Sequence, residues 1–514
     1  MDYSLFGLGA AVRGMAAAQA ALNTIGNNLA NANTDGYSRQ RVDIQPVPSV
    51  SLVSFNTPVS LAQLGGGVGV QQITRVRDDF LDLRIYQENA TFGNNDTLYK
   101  QIQQIEQTFQ EPSDQGLASV MTKFFNSWDQ LATNPESSAA RSEVRSQGLA
   151  LANTMNELNR SLTRMRAEED SQIQRAASDI NAYSDQISSL NQLILQSTVQ
   201  GVTPNNLMDQ RDLAIQNLSK IVNIQTQKTD DGKILVFMKG RALVDADRAS
   251  KLTVQPNAEG SYSDVVYRGQ VVDPREMGGQ LGALFKVRDE VIGRNAAAAR
   301  PTSPALPDTK QGLLYQLDVL ANELAQKVNG YHKTGTDLNG NQTGIGFFVN
   351  NNPLASDPTF IGLGGLMVDP NIQADVPPGL NRIVAGRGVN GSWPATSPGP
   401  GDNTIAQEIA SVRGETADVV RSPEFGATET LNDYYRRFLS NLGVVGQAAE
   451  RNATNQTNLI DHLQSQRESV SGVNFDQEMS DMVRYQHAYN ASAKVISMFD
   501  QMLDRLINGV APGR

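Results

Sequence analysis

Residues 151–194, LANTMNELNRSLTRMRAEEDSQIQRAASDINAYSDQISSLNQLI, place apolar side chains at Leu151, Met155, Leu158, Leu162, Met165, Ile173, Ile180, Ile187 and Ile194. This near-heptad spacing is the seam of a helix buried along one side. The pattern extends beyond the quoted stretch, because no proline falls between Pro135 and Pro204 and Gly148 is the one glycine before Gly201. A single helix over residues 137–200 is therefore expected. At 1.5 Å per residue, a helix of about 60 residues is about 90 Å long, which suits a rod-like bundle better than a compact enzyme. The alternative is a broken pair of ordinary helices.

Upstream, apolar periodicity of helical type starts around Phe80 and runs through Leu98, Ile102, Ile105 and Phe109, then through Leu117, Val120, Met121, Phe124, Trp128 and Leu131. Downstream, short β-prone runs at residues 234–238, 252–254 and 265–267 are separated by the turn signals Asp230-Asp-Gly and Asn257-Ala-Glu-Gly. Helical patterning resumes near Leu281 and, past the prolines 301–307, from Leu313 to Val328. Residues 335–403 are dense in Gly, Pro and Asn and predict an irregular, β-rich module facing outward; helix returns from Ile405 and dominates thereafter.

Both ends carry seams of their own. Leu8, Ala11, Met15, Ala18, Leu22, Ile25 and Leu29 step by three and four until Asn31, where residues 31–37, rich in Asn, Asp and Gly, read as a helix end and turn. Residues 38–70 read as extended loop or short edge strands. Met482, Tyr485, Tyr489, Ser492, Ile496, Phe499, Leu503 and Leu506 form the matching seam at the other end. Neither stripe can be buried alone, so the two are expected to pair as a coiled coil, small Ala11 and Ala18 against bulky Tyr485 and Phe499. The candidate assembly interface is Leu8, Met15, Leu22, Ile25 and Leu29 with Met482, Tyr485, Tyr489, Ile496, Phe499, Leu503 and Leu506.

The fold class is thus multidomain α+β, with a terminal α-helical coiled coil, a long helical bundle and a β-rich outer module. The expected division is 1–70 with 465–514 for the coiled coil; 71–225 with 278–334 and 404–464 for the bundle; 226–277 for a small β domain; and 335–403 for the outer module. A chain of 514 residues is past the size at which one core keeps growing.

Composition narrows the chemistry. Lys and Arg number 43 against 54 Asp and Glu, for a net charge of -11, which argues against a broad basic surface for nucleic acid or anionic lipid. No cysteine is present, which removes disulfides, thiolate catalysis and thiolate-bound metals. Three scattered histidines, His332, His462 and His487, make a histidine-rich metal centre unexpected. The first residues lack a basic n-region and carry an early Arg13, unlike a secretory signal peptide. No stretch of 18 apolar residues occurs, so no membrane span is expected. On these grounds alone the default is a soluble cytoplasmic protein.

Catalytic motifs fail on inspection. Gly386-Arg-Gly388-Val-Asn-Gly391 matches G-x-G-x-x-G, but Ser392-Trp-Pro follows where a phosphate-binding helix should start. Asp337-Leu-Asn339-Gly-Asn341 resembles the start of a calcium loop, yet Gln342 replaces the sixth-position glycine and Phe348 stands where the bidentate glutamate belongs; a turn is the better reading. Glu168-Glu169 and Asp230-Asp231 are expected to be solvated pairs, and His332 a helix C-terminal cap. No cofactor is expected.

Residues 20–37, AALNTIGNNLANANTDGY, resemble the N-terminal signature of the flagellar rod, hook and hook-associated axial proteins. Residues 471–479, SGVNFDQEM, with 485–496, YQHAYNASAKVI, and 502–507, MLDRLI, resemble that family's C-terminal signature. The interior segments EPSDQGL (111–117), FFNSWDQLA (124–132), AAR (139–141), LMDQRDL (207–213), NGYHKTGTDLNGN (329–341) with Phe347-Phe348, and GDN (401–403) resemble the hook–filament junction members of the family. Residues 295–307 and 350–400 match least. The resemblance implies export through the flagellar type III channel with an export chaperone on the C-terminal segment, which overrides the cytoplasmic default. It further implies a homo-oligomer in a helical ring, contacting hook protein on one side and a second junction protein (hook-associated protein 3) on the other, with no nucleic acid, no membrane and no catalytic residue. Alternatives are hook protein itself, a surface adhesin built on 335–403, or a fused peptidoglycan hydrolase, for which no site is found.

Overall fold

The computed structural model describes residues 2–47, 66–257, 260, 262–293, 312–351, 360–374, 379–388, 399–416 and 428–509. Residues 295–307, and Gly391 of the glycine-rich motif, lie outside them. In chain order the elements are α1 (Asp2–Ala30), β1 (Gln40–Pro46), β2 (Val68–Arg75), α2 (Asp79–Phe109), α3 (Leu117–Thr133), α4 (Ser138–Val199) and α5 (Asn205–Ile221). Strands β3 (Gln225–Lys228), β4 (Ile234–Met238), β5 (Arg241–Asp245), β6 (Arg248–Ala249), β7 (Leu252–Pro256), β8 (Ser263–Tyr267) and β9 (Gln270–Val271) follow. Next come α6 (Pro274–Met277), α7 (Gly279–Lys286) with a π-helical turn (Val287–Ile292), α8 (Leu313–His332), β10 (Phe348–Asn350), β11 (Leu366–Val368), α9 (Pro370–Gln373), α10 (Thr404–Ser411), α11 (Leu431–Ser471) and α12 (Phe475–Gly509). No described helix is long and apolar enough to cross a membrane.

The expected long helix is one unbroken element. Ser137 caps α4 by accepting the Ala140 N–H, and the helix runs 62 residues until Gly201 turns the chain with φ +80°. All nine apolar positions that define its seam are buried. The one interior glycine has a packing reason: a Cβ on Gly148 would stand 2.6 Å from the Phe347 ring.

Two separate cores lie along α4. The first takes Val144 to Met165 together with α3, α8, α10 and the start of α11. The second takes Ile173 to Ile187 with α5, α7 and the inner faces of a four-stranded antiparallel sheet, β3-β4-β5-β6, and a three-stranded one, β7-β8-β9. Between the cores the helix turns polar. Arg288, 1% exposed, reaches Asp170 Oδ1 at 2.6 Å and the Ser263 carbonyl at 2.7 Å, while Arg166 donates to the Arg288 carbonyl at 3.2 Å and stacks over the Tyr262 ring at 4.0 Å.

Two local readings differ from the structure. Phe80 is 76% exposed: it sits in the first turn of α2, where Asp78 accepts the N–H groups of Phe80 and Leu81, and the buried face begins one turn later. Over 335–403 the described residues hold one two-stranded ribbon, β10 with β11. Phe347, Phe348, Leu363, Leu366, Val368, Ile372, Ile383, Val384 and Ala385 belong to the first core. The loops there are irregular in backbone, but their apolar side chains point inward.

Ile180 is fully buried in the second core. Ile180→Asp should lower the stability of the body by about 3 kcal/mol or more through an unpaired buried charge. Ala182→Asp, on the exposed face, should change it by about 0.5 kcal/mol or less. Equal thermal midpoints for the two variants would contradict the seam.

Candidate assembly interface

Helices α1 and α12 lie side by side and bring the two chain ends together. The approach is close at Gly7, where a Cβ would stand 2.7 Å from the Phe499 ring, and at Gly14, where it would stand 3.3 Å from Ser492 Oγ. The fully buried positions of α1 are Ala17, Ala18, Ala21, Thr24, Ile25 and Asn28. Ile25 is thus buried as its seam position suggests, while Leu8, Met15, Leu22 and Leu29 are half-buried on its flank. On α12, Met482, Tyr485, Tyr489, Ile496, Phe499 and Leu503 are all half-buried; the side chain of Leu506 lies outside the described residues. One partner helix covers only part of another's girth, so neither stripe is closed. Met479, Val483, Val495, Met498 and Met502 remain exposed, Met498 by 54%.

A polar latch joins the two signature segments. Asn28, one of the adjacent asparagines in residues 20–37, donates to the Gln40 carbonyl at 2.9 Å and to Glu478 Oε2 at 3.0 Å. Its Oδ1 accepts from the Gln40 N–H at 3.0 Å and the Tyr37 hydroxyl at 2.8 Å. Glu478, 1% exposed, also accepts from Arg39 Nε at 2.6 Å. One amide and one carboxylate thereby fix α1, the turn after it, β1 and α12 in a single register. Burial, with Asp209 and Glu478 nearby, pushes the Tyr37 hydroxyl up to about 12, so it stays a donor. No expectation paired Asn28 with Glu478, although the signal was present: a polar residue beside the apolar seam commonly specifies register.

Most of the chemical candidates are held in local hydrogen bonds. His332 is fully buried. Its Nδ1 donates to the Ile345 carbonyl at 2.8 Å and its Nε2 accepts the Val384 N–H at 3.1 Å, a neutral tautomer tying two loops rather than a terminal cap. Asp337 Oδ1 accepts the N–H groups of Asn339 at 2.9 Å and Asn341 at 2.8 Å, closing a turn. In the glycine-rich motif the Gly388 N–H is spent on Thr336 Oγ1 at 2.6 Å and that of Arg387 on Asp402 at 2.9 Å. Asp231 is a solvated turn residue bonded to Thr229 and Lys233. Glu169 corrects the expectation of a solvated pair. It is 2% exposed, its Oε2 has no hydrogen-bond partner, and burial with Glu168 alongside pushes its carboxyl up to about 7.

With this geometry described, the ends define the class. Residues 8–37 match the family "Flagella basal body rod protein" and residues 464–509 match "Flagellar basal body rod FlgEFG protein C-terminal": the chain is a structural subunit of the flagellar axis. Residues 102–348 match the "Flagellar hook-associated protein FlgK helical domain". The flagellar hook-associated protein 1 of Bacillus subtilis is 31% identical over 527 aligned residues, covering 100% of both chains. That of Escherichia coli is 26% identical over 571, covering 97% of this chain and 98% of its own. The flagellar hook junction protein FlgK from Burkholderia pseudomallei shares the fold with a TM-score of 0.61 at 16% identity, over 76% of this chain and 100% of that one. The chain belongs to the flagellar hook-associated protein 1 family. It is an adaptor subunit of the hook–filament junction and an exported component of the flagellum.

The two perturbed groups predict opposite pH responses. Burial holds His332 down to about 4, so the neutral ring's contribution is complete above about 6.5 and is lost as pH falls towards about 4. Glu169 keeps in the folded chain a proton that the unfolded chain releases above 4.5, so its contribution is lost as pH rises through about 7. Glu169→Gln should therefore raise stability at pH 8 by about 1–3 kcal/mol and leave it unchanged at about pH 4.5. Unfolding at the two pH values measures this, and equal shifts at both would contradict it.

Proposed function

We propose that residues 1–70 with 465–514 form the assembly unit of this junction subunit, and that Leu8, Met15, Leu22, Ile25, Leu29, Met482, Tyr485, Tyr489, Ile496, Phe499, Leu503 and Leu506 are the side chains it uses. The observation that carries the reading is the half-burial of both seams within a single chain. Apolar stripes left partly in water gain their remaining burial from neighbouring subunits. On this reading copies of the chain form a helical ring at the hook tip, fitting hook protein below and the second junction protein above, and the C-terminal helix is held by an export chaperone beforehand. The work is mechanical, done by surface complementarity, with no catalytic residue.

A strain lacking the protein should keep its hooks while filament protein accumulates in the medium. In that strain Leu22→Asp or Ile496→Asp should block incorporation while leaving the body folded, since a buried aspartate costs more than a marginal helix pair offsets. Wild-type incorporation of both variants would sink the reading. Hydrogen exchange should show both ends unprotected in the free subunit and protected in the junction. His332→Ala should reduce motility only as far as it lowers the folded fraction; a folded, assembled but inactive variant would reopen catalysis.

A further inference from the structure

The unit formed by α1, β1, β2 and α12 carries β2 past residue 70 to Arg75, and among the described residues neither of the two cores draws a residue from it. Polar groups make the joint instead. Arg75, the last residue of β2, places Nη1 2.8 Å from Asp209 Oδ1 and 2.7 Å from Asp212 Oδ2. Arg77, two residues on, lies 2.9 Å from Asp212 and 2.7 Å from Asp82 at the start of α2. The Ser38 N–H donates to Asp209 at 3.3 Å, Asn205 donates to the Ile73 carbonyl at 2.9 Å, and Gln40 donates to Asn206 at 3.3 Å. Asp209 and Asp212 are both buried. Further ties are Asn205 donating to Gln40 Oε1 at 3.3 Å, the Arg39 N–H to the Ser471 carbonyl at 2.9 Å and Gly36 packed against Leu213.

We infer that Asp209 and Asp212 are positioning residues, a carboxylate socket on α5 that sets the angle of the terminal unit to the body by gripping Arg75 and Arg77. Guanidinium–carboxylate contacts are directional, so a joint built from them holds an orientation that an apolar contact of the same size would let slide. Once the ends are ordered in the junction, the latch through Asn28 and Glu478 holds the terminal unit together, so the socket sets its direction as one piece. Asp209 and Asp212 sit inside the helical-domain match at 102–348, while Arg75 and Arg77 lie between that match and the axial-family match at 8–37. This inference rests on the terminal unit being the assembly unit.

The test is made with the full chain as the sole copy in cells. Asp209→Asn with Asp212→Asn keeps side-chain volume and removes the charge. The variant should be exported in normal amounts and keep the main thermal transition, while filament-bearing hooks fall by about ten-fold or more, because the two arginines lose buried partners. Exchanging every charge of the joint, Arg75→Asp and Arg77→Asp with Asp82→Arg, Asp209→Arg and Asp212→Arg, keeps opposite signs between residues 75 and 209, 75 and 212, 77 and 212, and 77 and 82 and should recover most of the loss, which a merely space-filling role would not. Filament numbers at the wild-type level in the Asn variant overturn the inference, as does a folded charge-exchanged variant no better than the Asn variant. Should the exchanged chain fail to fold, the Asn variant decides alone. Leu22→Asp run in parallel separates the two readings. If it also assembles normally, the assembly unit is wrong; if it fails while the Asn variant succeeds, only the socket is wrong.

Discussion

Burial of α4 along most of its 62 residues is the demand that organises the body. A helix of that length cannot be covered by one compact core, since cores stop growing at domain size. The chain solves this with two, one made of helices and one of helices and small sheets, each occupying part of the same seam. Between them Arg166, Asp170 and Arg288 are withdrawn from water: Arg288 bonds Asp170 and the Ser263 carbonyl, and Arg166 Nε bonds the Arg288 carbonyl. The polar belt fixes which stretch of helix faces which core, because sliding α4 by a turn would leave a buried guanidinium without its partners.

The terminal unit obeys a different rule. It is joined to the body by ion pairs and hydrogen bonds, and internally by the contact of Asn28 with Glu478. Apolar interfaces give stability with little directional preference; hydrogen-bonded charges give direction with little net stability. On the proposed reading the joint needs direction more than strength, because the tilt of the axial helices would decide which neighbours they fit, and burial of the seam would be completed in the assembled state.

How far the sequence foretells this differs element by element. The heptad beat from Leu151 to Ile194 marks the buried face of α4, because a period sustained over many turns points to helix, while a broken pair of helices fits the same beat and only the structure shows one element. The pairing of the ends is equally readable from Leu8–Leu29 and Met482–Leu503 as apolar stripes, yet the buried line on α1 runs through Ala17, Ala21 and Asn28, since close approach at Gly7 and Gly14 turns the small face inward. The density of Gly, Pro and Asn over 335–403 hides Phe347 and Val368, which pack against Gly148, a contact no local pattern carries. Glu169 is invisible for the same reason: its neighbour Glu168 makes it look like surface, and only the tertiary fold encloses it. Asn28 and Glu478 were legible singly, inside quoted signatures, but their union spans almost the whole chain.

Intrinsic helix strength completes the argument about order at the ends. Helix α1 contains Gly7, Gly9, Gly14 and Gly26, each weakening a helix by about 0.5–1 kcal/mol relative to alanine. Gly7 and Gly14 are needed for contact with Phe499 and Ser492, so the weakness is inseparable from the close packing. Against this the single-chain pair offers only half-buried seams, with Met479, Val483, Met498 and Met502 in water. A subunit with a strongly folded terminal pair would present that apolar face before reaching its site and associate there prematurely. On the proposed reading, a marginal pair and a body independently cored on α4 would let export and folding of the body proceed first and would reserve closure of the seam for the moment when neighbours supply its missing sides.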